Sequence, residues 1–182
     1  MKEDARVRYT KSIIKKVFIE LLKEQPVDKI TVTNICDKAS INRTTFYKYY
    51  KNASDLLYKI EADQIEILKN KIIEQNALSI VACLKVILTD IRENPDYYGT
   101  MFSENADAQF RKKLFLLIYE ANMNNICKAC PDLPQKEREW LFQFAFEGLN
   151  GILKQWMTEG MKEDVDQVVD FAVTIVEKIK RP

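Results

Sequence analysis

The sequence predicts an all-α protein: a small N-terminal head of three helices followed by a larger helical body. Three observations lead there. The 182 residues include only 4 Gly and 5 Pro, so breaks in regular structure are few. Apolar residues recur every three to four positions along most of the chain, while the strict alternation of a half-buried strand is nearly absent. A composition of 47% hydrophobic and 30% charged residues suits a buried core under a solvated surface.

Residues 1–9 read as a charged arm carrying Lys2, Arg6 and Arg8. A first helix is expected over 10–24, with Thr10 as its cap. Ile13, Ile14, Val17, Phe18, Leu21 and Leu22 form one apolar stripe, and Lys11, Lys15, Lys16 and Lys23 lie off it. Pro26 ends this helix.

Residues 30–51, ITVTNICDKASINRTTFYKYYK, then read as two short helices around a tight turn. Thr31 or Thr33 can cap the first, because a threonine oxygen accepts a free first-turn N–H. Val32, Ile35, Cys36 and Ala39 face inward, Ser40 and Ile41 make the bend, and Asn42 caps the second helix, expected to run through Tyr50. There Phe46 and Tyr50 lie four apart and pack back, leaving Arg43, Thr44, Tyr47 and Lys48 on the open side. Guanidinium, hydroxyl, phenol and ammonium groups on one short helix suit the base edges and phosphates of a major groove. The plainer reading is a surface hairpin with a solvated basic face. Phe18, Leu21, Leu22, Ile35 and Phe46 are the expected centre of the head's core.

Charge supports the nucleic-acid reading. Residues 1–52 hold 12 Lys and Arg against 6 Asp and Glu, a net of +6. Residues 53–182 hold 16 against 21, a net of −5. A neutral total of +1 therefore hides a cationic head, as docking to a polyanion requires.

The stretch TVTNICDKASINRTTFYKYYKNASDLL resembles the DNA-binding segment of the TetR family of bacterial regulators. That family shows a T-V-x-x-I-A-x-x-A-G-V-S-x-x-T-F/L-Y-x-Y/H-F-x-x-K-x-x-L pattern. Thr31, Val32, Ile35, Ala39, Ile41, Thr45, Phe46, Tyr47, Tyr49, Tyr50, Leu56 and Leu57 fit it. Cys36 replaces the usual alanine, Ser40 a glycine, Asn42 a serine, and Ser54 a common lysine. Of these Ser40 matters most, because a turn with positive φ suits glycine better than serine. The resemblance covers residues 10–60 and implies a helix-turn-helix head over 1–52 and a regulatory, dimerising body over 53–182. It implies double-stranded DNA with an inverted-repeat operator as partner, and Thr33, Asn42, Arg43, Thr44, Tyr47, Lys48 and Lys51 as the DNA-facing set. Arg43 and Lys48 are placed at base edges or phosphates, Thr44 near bases, and Thr33, Tyr47 and Lys51 on phosphates.

The body continues the helical pattern. A helix over 53–74 is capped by Asn52 or Ser54 and, by the resemblance, couples head to body. Residues 76–92 are apolar nearly all round and should lie deep. Asn94-Pro95 breaks that helix, and an aromatic connector follows through Tyr97, Tyr98, Gly99, Met101 and Phe102. Residues 107–130 are helical in pattern, Pro131 and Pro134 mark a loop, and a long helix over 135–159 carries two apolar faces. One holds Leu141, Phe144, Ala145, Gly148, Ile152 and Trp156; the other holds Phe142, Phe146, Leu149 and Leu153. Gly148 and Gly151 each weaken a helix by about 1 kcal/mol relative to alanine, which close approach of another backbone would offset. Gly160 stops the helix, and 164–180 forms the last, strongly apolar one.

The resemblance implies that these last two helices pair with a second subunit, with Gly148, Ile152, Trp156, Val169 and Val173 in the interface of a homodimer. Pattern alone leaves open that both faces simply close the monomer's own core. The resemblance also implies a pocket for a small apolar or aromatic effector. Tyr97, Tyr98, Phe102, Phe115, Tyr119, Phe142 and Phe146 are its candidate lining, although ordinary core packing explains large rings equally well. The segment FEGLNGILKQWMTEGMKED is similar to the C-terminal domain of a branch resembling regulators of dihydroxyacetone kinase operons, in which some members act with a protein partner.

Catalysis finds no support. The chain has no histidine, which removes the usual general base near neutral pH and the commonest metal ligand. Cys127 and Cys130 form a C-x-x-C without a second pair, and Cys36 and Cys83 read as small apolar residues. Neither a phosphate loop nor a Ser/His/Asp set occurs. No cofactor, no metal and no membrane contact are expected, since no apolar run approaches the ~20 residues of a spanning helix. The N-terminus lacks the apolar core of a signal peptide, so a cytoplasmic location is expected. The expected function is a repressor released by a small-molecule effector. The alternative is an adaptor or co-regulator of the same fold that answers to a protein partner.

Overall fold

A computed structural model describes residues 4–77, 79–106, 109–129 and 132–180. Of the positions named above, Lys2, Cys130 and Pro131, with the side chain of Cys127, lie outside the described residues. Among the described residues the regular structure is entirely helical.

Helix α1, Ala5–Glu24, starts earlier than its apolar stripe suggests. Asp4 accepts the Arg6 N–H at 2.9 Å and caps the first turn. Its carboxylate also suits the positive end of a helix. Most of the expected arm is therefore helix, and Thr10 is interior rather than a cap. Its hydroxyl donates to the Arg6 carbonyl at 2.9 Å. A single 3-10 turn, Val27–Lys29, follows.

Helix α2, Val32–Ala39, opens on a reciprocal cap. Thr31 Oγ1 accepts the Asn34 N–H at 3.1 Å, and Asn34 Oδ1 accepts the Thr31 N–H at 3.0 Å. It closes on Ser40, held left-handed at φ 53°, ψ 43°. The Ile41 N–H then reaches back to the Cys36 carbonyl at 3.0 Å, which satisfies a carbonyl that the helix end would leave open. Serine thus takes the backbone conformation that glycine fills in the family pattern. Helix α3 is only Arg43–Tyr47. It is shorter than expected, because the chain turns at 48–49 to enter α4, Ala53–Glu74.

The remaining helices are α5, Ile80–Glu93; α6, Pro95–Met101; α7, Gln109–Ala129; α8, Gln135–Thr158; and α9, Val165–Lys180. Three differ from expectation. α5 begins at Ile80, because Ser79 caps it at 3.1 Å and Asn76 sits left-handed just before. The aromatic connector is itself a helix, α6, begun by Pro95, whose missing N–H costs nothing in a first turn. α9 starts at Val165, with Asp164 as its cap through the Gln167 N–H at 2.9 Å. Gly160, at φ 84°, ends α8 as expected. None of the described helices is long and apolar enough to cross a membrane.

By compactness the chain divides into two units: Met1–Gln64 with Asp96–Phe110, and Ile65–Pro95 with Arg111–Pro182. Charge changes sign near residue 52, whereas packing changes inside α4. In the first unit Phe18, Leu22, Ile35, Phe46 and Leu56 are buried together with Tyr98 and Phe110. The segment after α6 is tied to the N-terminal helices. The Asn105 carbonyl accepts the Val27 N–H at 3.1 Å, and its side-chain amide donates to the Leu22 carbonyl at 3.0 Å. Lys23 pairs with Asp96 at 3.2 Å, and Lys15 pairs with Asp63.

In the second unit α5 packs on α9. Cys83, Leu84, Val86, Ile87, Leu88 and Ile91 of α5 are buried, as are Val168, Val169 and Ala172 of α9. Asp90 is buried too, and Lys71 meets it at 2.6 Å. That hydrogen bond pushes the Lys71 ammonium pKa up.

Left-handed backbone costs a residue with a Cβ roughly 1–2 kcal/mol. Ser40→Gly should therefore raise the thermal midpoint, by about 4–8 °C for each kcal/mol in a head of this size. Differential scanning calorimetry checks this. An unchanged or lowered midpoint would show that the serine side chain offsets its own backbone cost.

Candidate nucleic-acid interface

The short helix α3 exists because its one buried ring holds it. An isolated helix of five residues cannot persist in water. Phe46 is fully buried, and its ring lies 5.6 Å from that of Tyr50, which is buried as well. Asn42 Oδ1 accepts the Thr45 N–H at 2.7 Å and starts the helix. With Phe46 turned inward, helical geometry turns Thr44, Tyr47 and Lys48 outward, and Arg43 stands at the open first turn of the helix. All four are exposed, and so are Asn42 and Lys51. Thr33 is half-buried.

Two members of the expected set touch. Arg43 Nη2 donates to Thr33 Oγ1 at 2.8 Å, so the guanidinium lies against the start of α2. Asn42 spends its carbonyl oxygen on the cap and keeps only its amide N–H groups for a ligand. Beneath this surface, burial pushes the Cys36 thiol pKa up. The thiolate is thereby disfavoured, and Cys36 acts as a small core residue. Tyr49 is covered on one side by Lys11, whose ammonium lies 5.6 Å from the ring centroid.

Sequence reasoning missed two residues beside this surface, both on α4. Lys59 Nζ donates to the Tyr49 carbonyl at 2.8 Å and to Asp55 Oδ2 at 3.0 Å. It also lies 5.3 Å from the Tyr50 ring centroid. Asp55 Oδ2 accepts the Lys51 N–H at 2.8 Å. The Lys51 N–H and the Lys59 ammonium hold the Asp55 carboxyl below the usual carboxylate range. Periodicity marks both as ordinary polar positions of a coupling helix, and no local pattern announces a partner ten residues back in the chain.

The seven aromatic residues considered as a pocket divide between the two compact units. Tyr97, Tyr98 and Phe102 pack with Phe110 in the first, with ring centroids 5.1–6.3 Å apart. The buried Tyr98 hydroxyl accepts from Gln64 Nε2 at 3.0 Å. Phe115, Tyr119, Phe142 and Phe146 form a cluster of α7 and α8 in the second unit, with centroids 4.9–5.7 Å apart. Phe115 and Tyr119 there are half-buried.

Of the five residues considered for a subunit interface, Trp156 and Val169 are corrected: both are buried within this chain and have no surface to offer. Trp156 Nε1 donates to the Glu163 carbonyl at 3.0 Å, turning its ring under the end of α8. Gly148 is exposed, and Ile152 and Val173 are half-buried. The exposed face of α8 instead carries Trp140, 61% exposed, and Phe144, 63% exposed, in line with Gly148 and Gly151. On α9 Phe171 is 56% exposed. A Cβ built on Gly148 or Gly151 would meet nothing within 4 Å.

Comparison with known proteins bears on this arrangement. The TetR-type family described as a transcriptional regulator C-terminal region matches residues 79–178. A Lactococcus lactis protein, the HTH-type dhaKLM operon transcriptional activator DhaS, is 28% identical over 141 residues, or 77% of this chain. The match spans 58% of that relative, less than two thirds of its length. A TetR transcriptional regulator from Streptococcus agalactiae superposes with a TM-score of 0.73 at 24% identity, covering 94% of this chain and 95% of that one. The dihydroxyacetone kinase operon activator DhaS superposes with a TM-score of 0.60 at 21% identity, covering 93% and 95%. The shared fold is all-α with an N-terminal helix-turn-helix.

Proposed function

This chain belongs to the TetR family of transcriptional regulators, and we propose that it works as a homodimer whose two α3 helices read an inverted-repeat operator. One observation carries the reading. Burial of Phe46 and Tyr50 leaves Asn42, Arg43, Thr44, Tyr47 and Lys48 together on the open face of a head whose first 52 residues are net +6. Arg43 serves base edges, since a guanidinium can bind guanine O6 and N7 together. Lys48 and Lys51 serve phosphates, with Thr33 and Tyr47 at the edge of the set. Residues 1–52 remain the DNA-binding domain in this reading, and 53–182 the regulatory one.

The dimer uses the exposed face of α8, with Trp140, Phe144, Gly148 and Gly151, and Phe171 of α9. Two large rings more than half exposed on one stripe are unfavourable in water. Two glycines in a helix, with open space where a Cβ would sit, let a second backbone come close. A two-fold symmetric dimer presents one head to each half-site of an inverted repeat.

In this reading the regulator is a repressor, and a small apolar or aromatic effector lodges beside Phe115 and Tyr119. α4, which belongs to both compact units, passes the change to the head. An effector releases DNA only if it binds the DNA-incompetent conformation more tightly. A second reading, activation in concert with a protein partner, is favoured by the Lactococcus relative, a transcriptional activator.

The DNA reading is tested by selecting duplexes from a random pool and measuring affinity across salt concentrations. Arg43→Ala should cost about 1–3 kcal/mol and relax sequence preference. Lys51→Ala should weaken all duplexes alike and flatten the salt slope by roughly one unit. An Arg43→Ala protein that binds as tightly and selectively as its parent would displace the recognition face from α3. Sedimentation tests the dimer: Phe144→Glu or Gly148→Glu should yield a folded monomer with operator affinity lost, and a persistent dimer would move the interface elsewhere. For the effector, calorimetry with and without operator should show each weakening the other by one shared factor. Ligands that bind equally in both states would favour the partner-driven reading.

A further inference from the structure

Helix α3 has five residues, and its last backbone turns are not continued by helix. Something outside it must hold residues 48–52 if the exposed face is to keep its aim. Two side chains of α4 do so. Lys59, from the second turn of α4, takes the Tyr49 carbonyl at 2.8 Å and covers the Tyr50 ring. Asp55 takes the Lys51 N–H at 2.8 Å, and Lys59 and Asp55 hold each other at 3.0 Å. Three successive residues, Tyr49 to Lys51, are thus gripped through a carbonyl, a ring and an N–H. Asn52 Oδ1 accepts the Asp55 N–H at 2.8 Å and locks the start of α4 to the same turn.

We infer that Asp55 and Lys59 are positioning residues for DNA binding: they staple the chain just after α3 onto α4, so that the recognition face follows α4. The inference rests on the DNA-binding reading above and deepens it. The Lys59 ammonium gives two of its three N–H groups to the protein itself, one to a carbonyl and one to a carboxylate, and its assigned role is to position the chain rather than to hold a phosphate. A charged hydrogen bond to an otherwise open carbonyl stabilises more than a neutral one. The pair acts as a unit, because Lys59 reaches the carbonyl while leaning on Asp55, which in turn holds the Lys51 N–H.

The experiment uses the full chain and a duplex that the unaltered protein has selected from a random pool. Lys59→Met keeps the stem over Tyr50 but removes the ammonium. It should weaken binding about tenfold, the loss of one charge-assisted hydrogen bond, with the slope against salt unchanged. Lys51→Ala run beside it should flatten that slope by roughly one unit. Lys59→Arg, which keeps a cationic donor, should restore most of the affinity. Asp55→Asn should weaken binding as well, and the Asp55→Asn/Lys59→Met double variant should be hardly weaker than Lys59→Met alone, as coupled residues behave. Circular dichroism and melting of each variant separate loss of aim from loss of fold. Unchanged affinity in Lys59→Met overturns the staple. So does a flattened salt slope, which would make Lys59 a phosphate contact, and so do additive losses in the double variant. An unaltered chain that selects no duplex overturns the DNA-binding reading itself, an outcome distinct from these.

Discussion

The burial of Phe46 is the constraint on which the proposed recognition surface depends. A helix of five residues forms one turn and little more, and its nucleation is unfavourable in water. Fully burying a phenylalanine ring contributes about 1.5–3 kcal/mol, enough to offset that deficit once Asn42 has capped the turn. Because the ring must point inward, the side chains two positions before it and one and two after it are turned outward. Most of the exposed set is therefore a geometric consequence of one buried ring. Tyr50 continues the same inward line beyond the end of the helix, at 5.6 Å from Phe46.

The compact unit that holds this ring is wider than a three-helix head. The first half of α4 and the segment Asp96–Phe110 belong to the same compact unit as α1 to α3. That segment lies far from the head in sequence, yet Asn105 hydrogen-bonds both the end of α1 and the turn that leads into α2. A displacement of the turn after α6 would act on the helix-turn-helix through these bonds. The aromatic residues of α6 accordingly belong with the head, and the α7–α8 cluster with the body.

The second unit resolves an ambiguity in the long helix α8. Its buried line is Phe142, Phe146, Leu153 and Trp156. The other line, Trp140, Phe144, Gly148 and Gly151, is exposed. In the proposed dimer, aromatic rings and glycines share that line for complementary reasons. Rings supply apolar area to be covered, and glycines remove the bulk that would keep a partner helix away. Their cost in helix stability, about 1 kcal/mol each relative to alanine, is not offset by any close contact among the described residues.

Much of this was legible in the sequence alone. Helical periodicity and scarce Gly and Pro determined the fold class. The five residues expected at the centre of the head are all buried, because amphipathic spacing and burial express the same geometry. Thr31 and Asn42 were readable as caps from their chemistry, and Gly160 as a stop. Local signals failed where two residues competed for one role, as when Asp4 rather than Thr10 capped α1. Only the tertiary structure decided the rest. It moved Trp156 and Val169 from a supposed interface into the core, since an apolar residue looks the same in sequence whichever partner covers it. It divided the aromatic residues into two clusters and brought Lys59 to the Tyr49 carbonyl. Those facts depend on how helices are placed against one another, and periodicity along one chain carries no record of that placement.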